Sequence, residues 1–241
     1  MQIADSFPTY EAFDPLVPVW CITPEVDGCL HRFFDTSPVS PSGRYVALTR
    51  LRDEARAPGP GDVAEVVLVD LESGETRTVA ETRGFDAQLG AQAQWGPTDH
   101  DLYFNDMDVE SWRPFAVRLD VLTGERKDLN GTVYMVSPDG TTLASPCLKR
   151  TALTQGGYGV VVPPSAMPLN DPADERDGLY LTDTTTGEER LLVSFARIYE
   201  EIEVLRDELM DRRGALYGFH VKWNRQGTRR VFLADLGGLL D

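Results

Sequence analysis

The sequence predicts an all-β fold, a partial β-propeller of about three and a half four-stranded blades with one helix near the C-terminus. Three observations predict it. A turn-plus-strand motif recurs as "VSPSGRYVALTRL" from Val39, "WGPTDHDLYF" from Trp95, "VSPDGTTLASPCL" from Val136 and "WNRQGTRRVFL" from Trp223. A second motif, Asp followed four positions later by Gly, alternates with it in "VDLESGETRTV", "LDVLTGERKDL" and "TDTTTGEERLL". Short β-rich runs flank both motifs in units of roughly 40 to 50 residues, which is the spacing of propeller blades.

Taken in order, the units cover residues 28–82, 84–130 and 132–195, with a partial fourth over 215–235, all in one domain spanning 1–241. Each turn offers a glycine, Gly43, Gly140 or Gly227, a positive-φ position. The aspartates Asp70, Asp120 and Asp183 cap their own backbone while Gly74, Gly124 and Gly187 close the hairpins. The runs "RYVALTRL", "AEVVLVDL", "TRTVAE", "DLYFNDM", "PFAVRLDV", "LYLTDT" and "RRVFL" are rich in β-branched and aromatic residues and read as strands.

Two segments depart from the pattern. The glycines and prolines of 151–178 predict a long surface loop or an extra hairpin. In 199–213, Ile202, Leu205 and Leu209 stand at helical spacing before Gly214, which predicts a helix packed on a blade edge or offered to a partner. Closed propellers have 4 to 8 blades. The tail "ADLGGLLD" carries no further turn-plus-strand signal, so the expectation is a shortened ring whose open edge invites self-association.

Composition narrows the function classes. Acidic residues number 39 against 23 basic, a formal charge of −16, which repels nucleic acid phosphates. No run approaches the roughly 20 apolar residues that a membrane helix needs, and the N-terminus lacks a basic region followed by an apolar one. The expectation is a soluble cytoplasmic protein with neither nucleic acid nor membrane as partner. Cys21, Cys29 and Cys147 show no metal spacing and are expected as free thiols.

Candidate site residues follow from the repeat. Five positions before the Pro slot of successive units stand Thr36, Gln92, Val133 and His220, and three before it Pro38, Gln94, Met135 and Lys222. Two before it stand Val39, Trp95, Val136 and Trp223, apolar in every unit. One strand face is thus shared scaffold, and the other varies as a channel lining would. His220 is the candidate base, because a near-neutral imidazole takes a proton at physiological pH, or else a hydrogen-bonded histidine without catalytic duty. Lys222, Asn224 and Gln92 are its candidate polar companions. In "CLHRFFDTSP", His31, Arg32 and Asp35 surround two phenylalanines, a grouping that suits an acidic or sugar-like ligand or a docking N-terminal strand.

The stretches "HRFFDTSPVSPSGRYVALTRL" and "FHVKWNRQGTRRVFL", with "SPDG" at 137–140, resemble propellers of the TolB type and, within these, oligogalacturonate lyase-related proteins. That resemblance implies seven blades, β-elimination of short uronate oligosaccharides, and a catalytic histidine and arginine beside a divalent metal held by later histidines. The histidine-bearing strand matches at His220. For the arginine, Arg197 and Arg206 lie at plausible distance, and the implied metal ligands fall outside this chain. The functional expectation is an incomplete, lyase-like propeller that binds a small acidic or carbohydrate ligand and is inactive alone. The alternative is a non-catalytic scaffold for protein partners.

Overall fold

The structure is a computed structural model that describes residues 6–12, 14–169, 171–203 and 215–237. It is a partial all-β propeller. The first sheet contains β1 (Cys29–Leu30), β2 (Tyr45–Leu51), β3 (Ala64–Asp70) and β4 (Thr76–Thr82). The second contains β5 (Gln94–Trp95), β6 (Leu102–Asp108), β7 (Arg113–Leu119) and β8 (Arg126–Asp128). The third contains β9 (Met135–Val136), β10 (Thr142–Pro146), β11 (Gly178–Asp183) and β12 (Glu189–Ser194), and the fourth β13 (Ala215–Trp223) and β14 (Arg230–Gly237). Neighbours in each sheet are antiparallel and consecutive in sequence, as a meander requires.

The Asp-Gly turns work as their chemistry dictates. Asp183 Oδ1 accepts the backbone N–H groups of Thr185 and Thr186 at 2.8 and 2.7 Å, and Gly187, at φ 83°, donates to the Asp183 carbonyl at 2.8 Å. Asp70 and Asp120 repeat the arrangement.

The core lies between successive sheets. Ala47, Val66 and Leu68 of the first pack on Leu102, Phe104 and Val117 of the second, and Ala144, Leu179 and Leu181 of the third share a cluster with Val221 of the fourth. The shared apolar positions also carry polar links between sheets. Trp95 Nε1 donates to the Pro38 carbonyl at 2.8 Å and Trp223 Nε1 to the Met135 carbonyl at 3.3 Å. Val136, at the intervening position, has no ring N–H, and its backbone N–H donates instead to Gln94 Oε1 at 2.9 Å. Asn105 ties β6 to the segment before β9, donating to the Val133 carbonyl at 2.7 Å and accepting its N–H at 2.8 Å.

Two expectations are corrected. Part of 151–178 is neither surface loop nor hairpin: α1 (Leu148–Thr154) runs into it, and Val160 and Val162 are buried against the third sheet. Arg150 anchors α1 from within, donating to Asp177 at 2.6 Å. The later helix, α2 (Phe195–Glu201), begins earlier than its periodicity predicts, because Ser194 caps it by accepting the Arg197 N–H at 3.2 Å. Ile202 follows its end, and Leu205, Leu209 and the remainder of 199–213 from residue 204 on lie outside the described residues. The three cysteines are free and partly buried. No helix among the described residues is long and apolar enough to cross a membrane.

Candidate functional site

The innermost strand of the first sheet is broken. β1 pairs with β2 through Cys29 and Leu30, the chain then leaves the ladder, and an isolated bridge between Val39 and Val46 resumes it. The detour turns where the Thr36 N–H donates to the Phe33 carbonyl at 3.3 Å, and it sends neighbouring side chains in opposite directions. Arg32 goes inward and is 3% exposed, whereas His31 and Phe34 face solvent.

All four sheets meet around the Arg32 guanidinium. Its Nε donates to Gln92 Oε1 at 2.9 Å, and its Nη1 donates to Asp35 Oδ1 at 3.1 Å and contacts Thr36 and Met135. The guanidinium lies over the Tyr134 ring, 4.9 Å from its centre, in cation–π geometry. Asp35 also pairs with Lys222 from β13, whose ammonium is 5.9 Å from the same ring. The Tyr134 hydroxyl and His220 Nδ1 are hydrogen-bonded at 2.9 Å, and the imidazole is flanked by Phe33 and Phe219, with ring centres 5.8 and 4.2 Å away. Gln92 holds φ 60°, a left-handed conformation that a non-glycine residue adopts at a cost, here fixed by the Arg32 contact.

Burial sets the protonation states. It lowers the Arg32 guanidinium to about 10, still charged at neutral pH. Burial, with the Arg32 charge adding to it, lowers Lys222 to about 8 and keeps His220 below its ordinary value, so the imidazole is neutral at pH 7. Burial pushes the Tyr134 phenol up to about 12. A neutral imidazole has one N–H. Where Nδ1 donates to Tyr134, Nε2 is a free base, and where Tyr134 donates, Nε2 is a donor.

Of the residues singled out from sequence, Arg32, Asp35, Gln92, His220 and Lys222 come together. His31 and Asn224 do not. Asn224 instead builds the β13–β14 turn, accepting the Arg229 N–H at 2.7 Å and donating to Gln226 and Thr228. Arg197, suggested by the resemblance, pairs with Glu201 on the surface of α2, and Arg206 lies outside the described residues. The arginine beside His220 is Arg32.

Tyr134 and Asp86 escape the sequence reading. Asp86 is 1% exposed, and burial raises its carboxyl to about 7 against the pull of backbone N–H groups and Arg32. A signal for it exists: Asp86 and Gly90 repeat the Asp-to-Gly spacing of the hairpin turns, and Asp86 Oδ1 accepts the Gln88 and Leu89 N–H groups in the same way. Among the described residues no group of three His, Cys, Asp or Glu side chains is arranged to hold a metal ion. Arg32 and Lys222 beside His220 would oppose one.

The chain is similar to an oligogalacturonate lyase solved in complex with manganese, at 20% identity and a TM-score of 0.50, over 78% of this chain and 47% of that one. It is also similar to TolB from Acinetobacter baumannii, at 15% identity and a TM-score of 0.42 over 98% of this chain and 53% of that one. The β-propeller domain of the Trilobed protease from Pyrococcus furiosus gives 11% identity and a TM-score of 0.44, over 93% and 59%. No family model and no curated protein matches the chain. The likeness to the oligogalacturonate lyase is one of fold, that of a β-propeller. The chain spans about half the length of these solved structures.

Proposed function

We propose that this chain binds a short acidic saccharide, a uronate, by its carboxylate at the Arg32, Lys222 and His220 cluster, without completing a reaction of its own. The observation that carries this reading is the convergence of three nitrogen bases from the first and fourth sheets in a chain of formal charge −16. Such a chain repels anions except where fixed positive charge is desolvated. Arg32 is held rigidly by Gln92 and Asp35, so little is lost in ordering it when a ligand arrives. Lys222 is half-buried with its ammonium nitrogen enclosed, so a ligand carboxylate would gain it only by displacing Asp35. Phe33 and Phe219 offer apolar faces to a sugar ring beside the imidazole.

Within a larger propeller the same groups would suit β-elimination. A neutral His220 is in the protonation state to take the proton α to the uronate carboxylate, and Arg32 and Lys222 would stabilise the charge that develops there. The manganese of the oligogalacturonate lyase finds no ligand set among the described residues, so no step of this reading runs through a metal.

Calorimetric titration with trigalacturonate tests the proposal. The wild-type chain is expected to bind it and to ignore neutral maltotriose, and Lys222→Met is expected to weaken binding at least tenfold, or about 1.4 kcal/mol, while keeping a cooperative melt. Equal binding of both sugars, or an indifferent Lys222→Met variant, would discard the reading and leave a protein-binding scaffold in its place.

A further inference from the structure

His220 takes its tautomer from what the Tyr134 hydroxyl can reach. Tyr134, one residue before β9, is 1% exposed, so its O–H must find an acceptor inside the protein. Among the described residues that hydroxyl meets one hydrogen-bond partner, His220 Nδ1 at 2.9 Å, and the ring otherwise has the cations Arg32 and Lys222 over its face. Burial keeps the phenol protonated at neutral pH, so there is a hydrogen to place.

Two arrangements are open to the pair, and they leave different atoms unsatisfied. If Nδ1–H donates to the phenol oxygen, the phenol hydrogen is buried without an acceptor. If the phenol donates to Nδ1, every hydrogen between the two groups is placed, and only lone pairs of the phenol oxygen stay unused. A stranded buried donor is the costlier and rarer condition. The Arg32 charge favours the second arrangement too, since it pulls against the burial that holds the phenol proton and so makes the hydroxyl a better donor. It also opposes a second proton on the imidazole. On the far side of the ring, Nε2 of the half-buried His220 has no partner among the described residues and is not enclosed.

We propose that Tyr134 is a positioning residue that fixes His220 as the Nε2–H tautomer, so that the imidazole shows an approaching ligand a hydrogen-bond donor and not a base. With Arg32 and Lys222 beside it, this face selects ligands that bring acceptor oxygens. That the acceptor is a uronate carboxylate rests on the function proposed above, whereas the tautomer does not. The arrangement also accounts for binding without reaction. Taking a proton at Nε2, as elimination in a larger propeller asks, requires the phenol to turn its hydrogen away and accept from Nδ1 instead, and no described residue receives that hydrogen.

Long-range proton–nitrogen correlation spectra of the ligand-free, nitrogen-15-labelled chain at pH 7.5 test this, with His220→Gln identifying the His220 signals among those of the three histidines. The wild type is expected to show a bare, pyridine-like Nδ1 and a protonated, pyrrole-like Nε2, a result that needs no variant to be read. In Tyr134→Phe, which removes only the hydroxyl and is first checked for a cooperative melt, the Nδ1 signal is expected to shift toward that of an unbonded ring nitrogen. A protonated Nδ1 in the wild type, or an Nδ1 signal indifferent to Tyr134→Phe, would overturn the proposal. Trigalacturonate added to the wild type is expected to shift Nε2 and leave Nδ1 bare. An unmoved Nε2 would discard the uronate and leave the tautomer standing on the ligand-free spectrum.

Discussion

Burial holds the carboxyl of Asp86 close to half ionisation at neutral pH, far above its ordinary 3.8, and folding therefore changes its proton affinity. Between pH 4 and 7 the folded chain keeps a proton that the unfolded chain has released, so this residue's contribution to stability falls as pH rises through that window and is flat above it. The gain from Asp86→Asn is expected to grow over the same window, by up to about 1.4 kcal/mol per pH unit, and to level off above pH 7. Urea unfolding at pH 4.5, 6 and 8 measures it, and a pH-independent difference would mean that Asp86 is ionised in the fold. His220 and Lys222 were legible as site residues because their two-residue spacing and the repeat register place them together, although the ladder shifts register between Gly218 and Val221, beside His220. Arg32 and His31 could not be told apart, because residues 31–38 leave the ladder and lose that alternation. Asp86 was hidden by its resemblance to three surface turns, since a local motif carries no information about what is packed over it.

At the scale of elements, the turns at the Pro slots also fit successive sheets to each other. The Ser42 N–H donates to Asp99 Oδ1 of the next unit at 3.0 Å, and a Cβ added at Gly140 would sit 2.5 Å from the Pro97 ring. Gly140 is at φ 71°, and Gly124 is at φ 80° with open space around it. Gly124→Ala is expected to cost about 1 kcal/mol from backbone conformation alone. Gly140→Ala adds the clash and is expected to cost about 1–3 kcal/mol more, which paired chemical denaturation curves would resolve. Equal losses would show that the Pro97 contact yields freely. Strands and hairpins were legible because their signals lie within a few residues. Helix α1 was not, because "LKRTALT" has no strong helical pattern and depends on the buried Arg150 bond to Asp177, far along the chain. The start of α2 was misplaced because its cap, Ser194, ends a strand.

For the whole molecule, a formal charge of −16 repels itself in the compact state. Raising sodium chloride from 10 to 300 mM shortens the screening length from about 30 to under 10 Å and is expected to raise the melting temperature by several degrees. A flat or falling curve would mean that the surface ion pairs outweigh the repulsion. The architecture was legible as a whole because the repeats announce it, whereas the meeting of four inner strands on one arginine is a product of packing that no single repeat encodes. Arg32 belongs to the first sheet, and Lys222 and His220 to the last one described. The cluster is therefore a clasp that shuts only when the ends of this arc have come together. A bound anion would hold it shut, slowing amide hydrogen exchange in β13 before any other strand. Occupancy and arc closure thereby become one equilibrium.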